Sequence, residues 1–453
     1  MVFKAYGQKI VSVILLVFSV FILSCSHDGN NSRGLTYSGY ADKADSTIVL
    51  GTATLDSISS VQTDGTIVFS SKPDDLKNAA VGSAVIITVC DMFPNGALVK
   101  IDAMESTSTG FAVHTSAAAL DQAVSNADIS MHKDMSSDDV SGFVPLKSGV
   151  AIEATAASNS LRSVSWQMND IVINLNNTIL IDGDANPLTT YDQIRANGKI
   201  TISPSFDMDA KISWFKLKKF MFKNKTKEVA DLFISNGDIN TPVVSIKKDI
   251  EVARIAFAPI VFTVGAVPVV ITPNLIVRVG VEGSISYEID AGLHQTADLE
   301  LGVQYDNGSW STTKGLTLGL SLVDPKIQAQ GKIKGYVSPE FDLLLYGVLG
   351  PYVNAQGYLE CVVTGTVDGT TAVITDGQVS SSLTGSEVAT LAWQLNAGFS
   401  SDVGVKFTLL SSKILDYHMT IYNWKKPIAD GYISGSVFYD KNGLVSSGYT
   451  VKL

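Results

Sequence analysis

Between Ile200 and Trp214 the chain alternates strictly. The even positions are Ile200, Ile202, Pro204, Phe206, Met208, Ala210, Ile212 and Trp214, and the odd positions are Thr, Ser, Ser, Asp, Asp, Lys and Ser. A strand sends successive side chains to opposite faces, so a period of two predicts a strand with one apolar and one polar face, and it excludes a helix. The odd positions from Leu275 to Leu293 are likewise apolar or small. Leu391 to Leu409 repeats the pattern with Trp393, Leu395, Phe399, Val403, Val405 and Phe407. Such runs exceed the usual strand length, so they predict long strands or strands bent at glycines such as Gly283. Asx-Gly pairs begin at Asp64, Asn95, Asp182, Asn197, Asn236, Asn307, Asp368, Asp376, Asp430 and Asn442. Both residues tolerate positive φ, which makes the pair a hairpin signal. Only Ser116–Asp128 reads as helical. The expected fold is all-β: long antiparallel strands in a meander, forming a sandwich or a curled sheet, preceded by a smaller β-module.

Ile255 to Val277 carries no charge, but Pro259, Pro268 and Pro273 would break a helix repeatedly. The stretch predicts a hairpin turning at Gly265-Ala266, with glycine first as a type II′ loop requires. Pro268 lacks an N–H and therefore marks an edge or a bulge.

Breaks in the pattern divide the chain into a signal segment at 1–24, a tether at 25–45 and a small β-module at 46–130. A polar linker at 131–165, a large antiparallel β-domain at 166–428 and a C-terminal hairpin at 429–453 follow.

Composition narrows the function. Charged residues are 17% of the chain, against about 25% in an average soluble protein. The net charge is −11 and the mean hydropathy +0.22. Neutralising phosphates needs a basic surface, so no nucleic-acid partner is expected. Wholesale disorder would need low hydrophobicity and high charge.

At the N-terminus, Lys4 and Lys9 precede an apolar run from Ile10 to Leu23 that is too short to span a bilayer but suits an export signal. It ends in Ile22-Leu23-Ser24-Cys25, which resembles the lipobox of bacterial lipoproteins, with Ile22 where leucine is usual. The resemblance implies cleavage before Cys25, acylation of its thiol, and partnership with a membrane through that lipid. Several acyl chains make such anchoring stable, at about 0.8 kcal/mol per buried methylene. Ser26 in place of aspartate favours the outer membrane or cell surface. Loss of Lys4 and Lys9 takes the net charge from −11 to −13, and an acidic body is repelled by an anionic leaflet. The segment from Ser26 to Tyr40 is rich in Gly, Asn and Ser, as a flexible tether would be.

The blocks FAPIVFTVGAVPVVITPNL, YDNGSW and LLLYGVLGPYV resemble those of secreted bacterial β-rich proteins of unassigned function. That resemblance covers Trp166 to Trp424 and brings no catalytic motif. GYISGSVFYDKNG resembles the opening of Ig-like carboxypeptidase-regulatory modules but is too short to be one.

Candidate chemistry is sparse. Cys90 and Cys361 lie in apolar runs, either as a pair or as separate buried thiols. His114, His132, His294 and His418 are scattered singly, with no H-E-x-x-H or C-x-x-C spacing. Asp182, Asp184 and Asn186 resemble the start of a calcium loop, but Pro187 and Gln193 stand where an EF-hand wants glycine and glutamate. Lys211–Lys227 holds seven lysines interleaved with aromatics. Lys211, Trp214, Lys216, Lys218, Lys219 and Lys223 form the candidate binding set, for an anionic lipid head group or acidic glycan. The plainer reading is a solvated strand face whose lysines blunt a sheet edge. No cofactor and no catalytic residue is expected. The expected role is that of a non-enzymatic lipoprotein with a structural, adhesive or binding function. Alternatives are a hydrolase acting on envelope glycans, a carrier of an apolar ligand, and an integral β-barrel.

Overall fold

The structure is a computed structural model. It describes residues 34–453 except 109, 154–169, 183–185, 190–192, 237–242, 286–288, 328–330, 348, 368–369, 373–384, 410–411, 441–442 and 453. The signal segment, Cys25, Asp184 and residues 154–165 of the expected linker lie outside the described residues.

The described chain is almost entirely strand. β1 (Leu35–Lys43) comes first. A group of short strands follows: β2 (Ile48–Val49), β3 (Ile58–Val61), β4 (Ile67–Phe69), β5 (Ala84–Ile87), β6 (Ala97–Thr107) and β7 (Gly110–Ala117). Then come β8 (Val124–Asp134), β9 (Val140–Pro145) and β10 (Val150–Glu153). The long strands are β11 (Ile171–Asp182), β12 (Gln193–Ser213), β13 (Leu217–Asn236), β14 (Val243–Phe257), β15 (Ile260–Val264), β16 (Val267–Ile285), β17 (Ile289–Asp306), β18 (Ser309–Ile327), β19 (Gly331–Leu345) and β20 (Leu349–Val367). β21 (Thr370–Ala372), β22 (Gly385–Leu409), β23 (Ser412–Asp440) and β24 (Gly443–Lys452) complete it.

These strands form three sheets. Sheet I runs β1-β8-β12-β13-β17-β18, and β11 pairs with the first half of β12 and with β10. Sheet II runs β24-β23-β22-β20-β19-β16-β14-β9, with β15 on β16 and β21 on β20. Sheet III, β2-β5-β6-β7-β4-β3, is built from the short strands. Every pairing is antiparallel except β2 with β5. Sheets I and II face each other as a sandwich. The rings of Phe206 and Phe341, one from each sheet, lie 6.0 Å apart. The alternation explains the core. In β12, Ile200, Ile202, Phe206, Ala210 and Ile212 are buried. In β16, Val267, Val269, Ile271, Leu275, Val277, Val279 and Val281 are buried opposite them.

Pro268 sits as its chemistry requires. β16 pairs with β15 through Thr263↔Pro268, while β19 joins the other side of β16 only from Ile271 onward. Gly265 has φ +61 in the intervening two-residue loop.

Several expectations need correction. Within the expected tether, Leu35–Lys43 is a strand paired along its length with β8. Within the expected linker, β8, β9 and β10 are ordered. Met131, Lys133 and Met135 point inward there, so the polar residues that suggested a linker are largely the other face of strands. The helical segment shrinks to Leu120–Ala123, because Asn126–Asp128 pairs with β1 and β12, and strand pairing overrides helix propensity. The Asn197-Gly198 pair makes no turn. It lies inside β12 opposite an irregular stretch of β11, and a Cβ on Gly198 would meet the Asp231 carbonyl oxygen at 1.9 Å. The first strand of the C-terminal hairpin, β23, begins at Ser412 and is continuous with sheet II.

Sheet III does not stand apart. In β5, Val85 and Ile87 belong to its own core, while Ala84 and Ile86 join the core of the sandwich. Gly34–Leu453 accordingly forms one compact unit. Among the described residues, no helix is long and apolar enough to cross a membrane.

Candidate functional site

The lysine-rich segment folds as the β12–β13 hairpin. Ser213 and Lys216 close it through N–H···O bonds of 3.0 and 3.2 Å, leaving Trp214-Phe215 as a two-residue loop. Both loop residues are left-handed, with φ +51 and +57. That is a type I′ loop, in which Asn-Gly is the favoured pair. A bulky residue in this conformation costs about 1–2 kcal/mol. The neighbouring β17–β18 hairpin uses the expected Asn307-Gly308. Trp214 and Phe215 are held by β8, since the Trp214 N–H donates to Asn126 Oδ1 at 3.2 Å and the Phe215 N–H to the Ser125 carbonyl at 3.0 Å.

The period-two pattern assigns Trp214 to the core, but its loop position leaves it 80% exposed. Phe215 is also exposed. Lys219 lies opposite Asp306, so the β12–β13 and β17–β18 loops share one end of sheet I. There Trp310 is exposed and packs on Tyr305 at 5.1 Å between ring centres. Tyr40, opposite Asp128 and hence beside Lys211, adds a further exposed ring. The sequence signal for Trp310 was the YDNGSW hairpin. Only the register brings it beside the Trp-Phe loop.

The lysines divide into two groups. Lys211 bonds Asp128 at 2.9 Å, and this hydrogen bond raises its pKa. Lys219 faces Asp306 at 3.8 Å, Lys223 meets Asp207 at 3.3 Å, and Lys225 faces Glu300 at 3.9 Å. Asp207 also takes a 2.6 Å hydrogen bond from His132 Nδ1. Burial alone would raise the pKa of Asp207, but His132 and Lys223 outweigh it and hold the carboxyl below its ordinary value. Lys219, Lys223 and Lys225 therefore form one row of a cross-strand charge ladder, with acidic rows on β12 and β17, while Lys211 on β12 pairs with β8. Such exposed pairs contribute little to stability, because water screens them. β13 is an interior strand of sheet I, so its lysines do not blunt an edge. Lys216 and Lys218, next to the loop, have no carboxylate partner among the described residues.

Of the calcium candidates, Asp182 and Asn186 both carry contacts to protein groups, and Asp184 lies outside the described residues. Gln193 Nε2 reaches Asp182 Oδ2 and the Asn186 carbonyl, each at 3.4 Å, and Asn186 Oδ1 accepts the Leu188 N–H at 3.2 Å. Among the described residues, no cluster of three or more His, Cys, Asp or Glu suits a metal ion. His132 and His294 each bond a carboxylate at 2.6 Å, on Asp207 and Asp231. Cys90 is a free, half-buried thiol.

Between the two large sheets lies a void of about 20 Å³ lined by Ile202, Asn224, Thr226, Leu275, Phe341 and Val353, room for about one water. Near it in the sheet, Glu228 is buried and its pKa is pushed up to about 8 by burial, against the opposing hydrogen bond from Gln295. No protein-family model matches this chain, and neither the curated proteins nor the solved structures offer a match.

Proposed function

We propose that this chain is a lipid-anchored, extracytoplasmic binding protein of a bacterial envelope, without catalytic activity, on the outer membrane or cell surface. Cys25 would be the anchor, and the aromatic end of sheet I the contact surface. The observation that carries the binding role is the loop Trp214-Phe215: two exposed rings held at a backbone cost in a turn that Asn-Gly would make more cheaply. The sandwich interior, with its void of about 20 Å³, offers less to a carrier of apolar ligands.

The test of anchoring is globomycin treatment, or Cys25→Ala, followed by fractionation and surface proteolysis. Loss of signal processing and of membrane association is expected. Unchanged processing and location would remove the lipoprotein reading. Turnover of a glycan panel by the purified protein, abolished by a carboxylate substitution, would replace the binding role with an enzymatic one.

A further inference from the structure

We propose that the end of sheet I carrying Trp214, Phe215 and Trp310 docks onto an anionic lipid bilayer, with the rings entering the head-group layer. This deepens the anchored-protein reading and rests on it for the presence of a membrane.

The argument begins with geometry. A two-residue hairpin loop is the outermost point of its strands, and this one places two aromatic side chains there. The adjacent hairpin places Trp310 two residues past its own loop, at the same end. Rings that project from a convex tip suit a yielding surface, whereas a sugar stacks on a ring supported within a groove. Tryptophan in particular settles at the membrane–water interface, its ring apolar and its N–H still wet.

Charge fits the same partner. The chain is acidic, yet the residues just behind the loop are Lys216, Lys218 and Lys219. Lys216 and Lys218 are not neutralised among the described residues. With the rings in the head-group layer, these ammonium groups sit at the level of the lipid phosphates, and their stems can extend along the interface. The acidic remainder is repelled by the same surface, so the body stands end-on rather than lying flat.

The experiment uses the full chain in phosphatidylcholine vesicles, with and without phosphatidylglycerol, whose acyl chains carry bromine as a quencher of tryptophan fluorescence. Quenching is expected in the phosphatidylglycerol vesicles and should weaken with salt. Trp214→Phe combined with Trp310→Phe should remove most of it, since these two indoles are exposed at the tip. Lys216→Gln and Lys218→Gln should each lower the docking equilibrium about fivefold. Equal quenching in the tryptophan variants, or none in wild type, would overturn the proposal. So would a tip response to a soluble acidic polysaccharide with none to vesicles. Flotation of the Cys25→Ala chain on vesicles of phosphatidylcholine alone, where the tip is not expected to dock, reads the anchor separately. If wild type floats but is not quenched, docking fails while anchoring stands. If Cys25→Ala floats as well as wild type, anchoring fails and quenching still decides docking.

Discussion

Gln295 Nε2 donates a 3.0 Å hydrogen bond to Glu228 Oε1 inside the sandwich, and a Cβ on Gly357 of the facing sheet would lie 2.0 Å from Gln295 Oε1. Glycine at 357 makes room for a polar pair that the rest of the apolar core would not accommodate. An unpaired ion in such a place would cost several kcal/mol, and Glu228 avoids this by remaining protonated.

A pH dependence follows with a definite sign. Burial raises the Glu228 pKa to about 8, well above the value near 4.5 it has when unfolded. Between these values the folded chain binds the extra proton, so stability falls as pH rises. The contribution is complete below about pH 4.5 and lost as pH rises through about 8, a change on the order of a few kcal/mol. Glu228→Gln should flatten this slope in chemical denaturation measured from pH 5 to 9. A slope unchanged in the variant would contradict it.

Gly357→Ala should be among the most damaging small substitutions. The added methyl collides with Gln295, and overpacking a core costs about 1–3 kcal/mol. Gly280→Ala and Gly398→Ala make the same point on the outer face of sheet II. There Tyr336 covers Gly280 and Tyr358 covers Gly398, each ring within 2 Å of the missing Cβ. Thermal melts of the three variants check this, and three unchanged midpoints would contradict it.

Replacing Trp214-Phe215 by Asn-Gly should stabilise the hairpin by about 1–3 kcal/mol, because the new pair prefers the left-handed conformation. The same variant should lose vesicle docking. A gain in denaturation midpoint together with a loss of binding would identify the two rings as functional rather than structural.

On the acid side, Asp207 on the outer face of sheet I meets two basic groups, His132 and Lys223. His132 and Lys223 hold its carboxyl low, so its stabilisation is present above pH 4 and lost as pH falls through its folded value. Asp207→Asn should therefore reduce the acid sensitivity of unfolding between pH 5 and 2. Wild-type sensitivity in the variant would place the acid response elsewhere.

What the sequence determined by itself was local. Alternation from Ile200 to Ile212 reported which side chains share a face, because a strand's period is a property of its own backbone. The glycine first in the Gly265-Ala266 loop and the missing N–H of Pro268 reported a turn and an edge for the same reason. Pairing between distant strands leaves no such trace. That Lys223 and His132 meet at Asp207, that Glu228 finds Gln295 with Gly357 clearing space, and that Trp310 comes to the same end as Trp214 all depend on register across residues far apart in the chain. A shift of one residue would turn each side chain to the other face. Trp214 marks the boundary between the two: its alternation pointed inward, and only the closing of the hairpin at Ser213 and Lys216 put it in water.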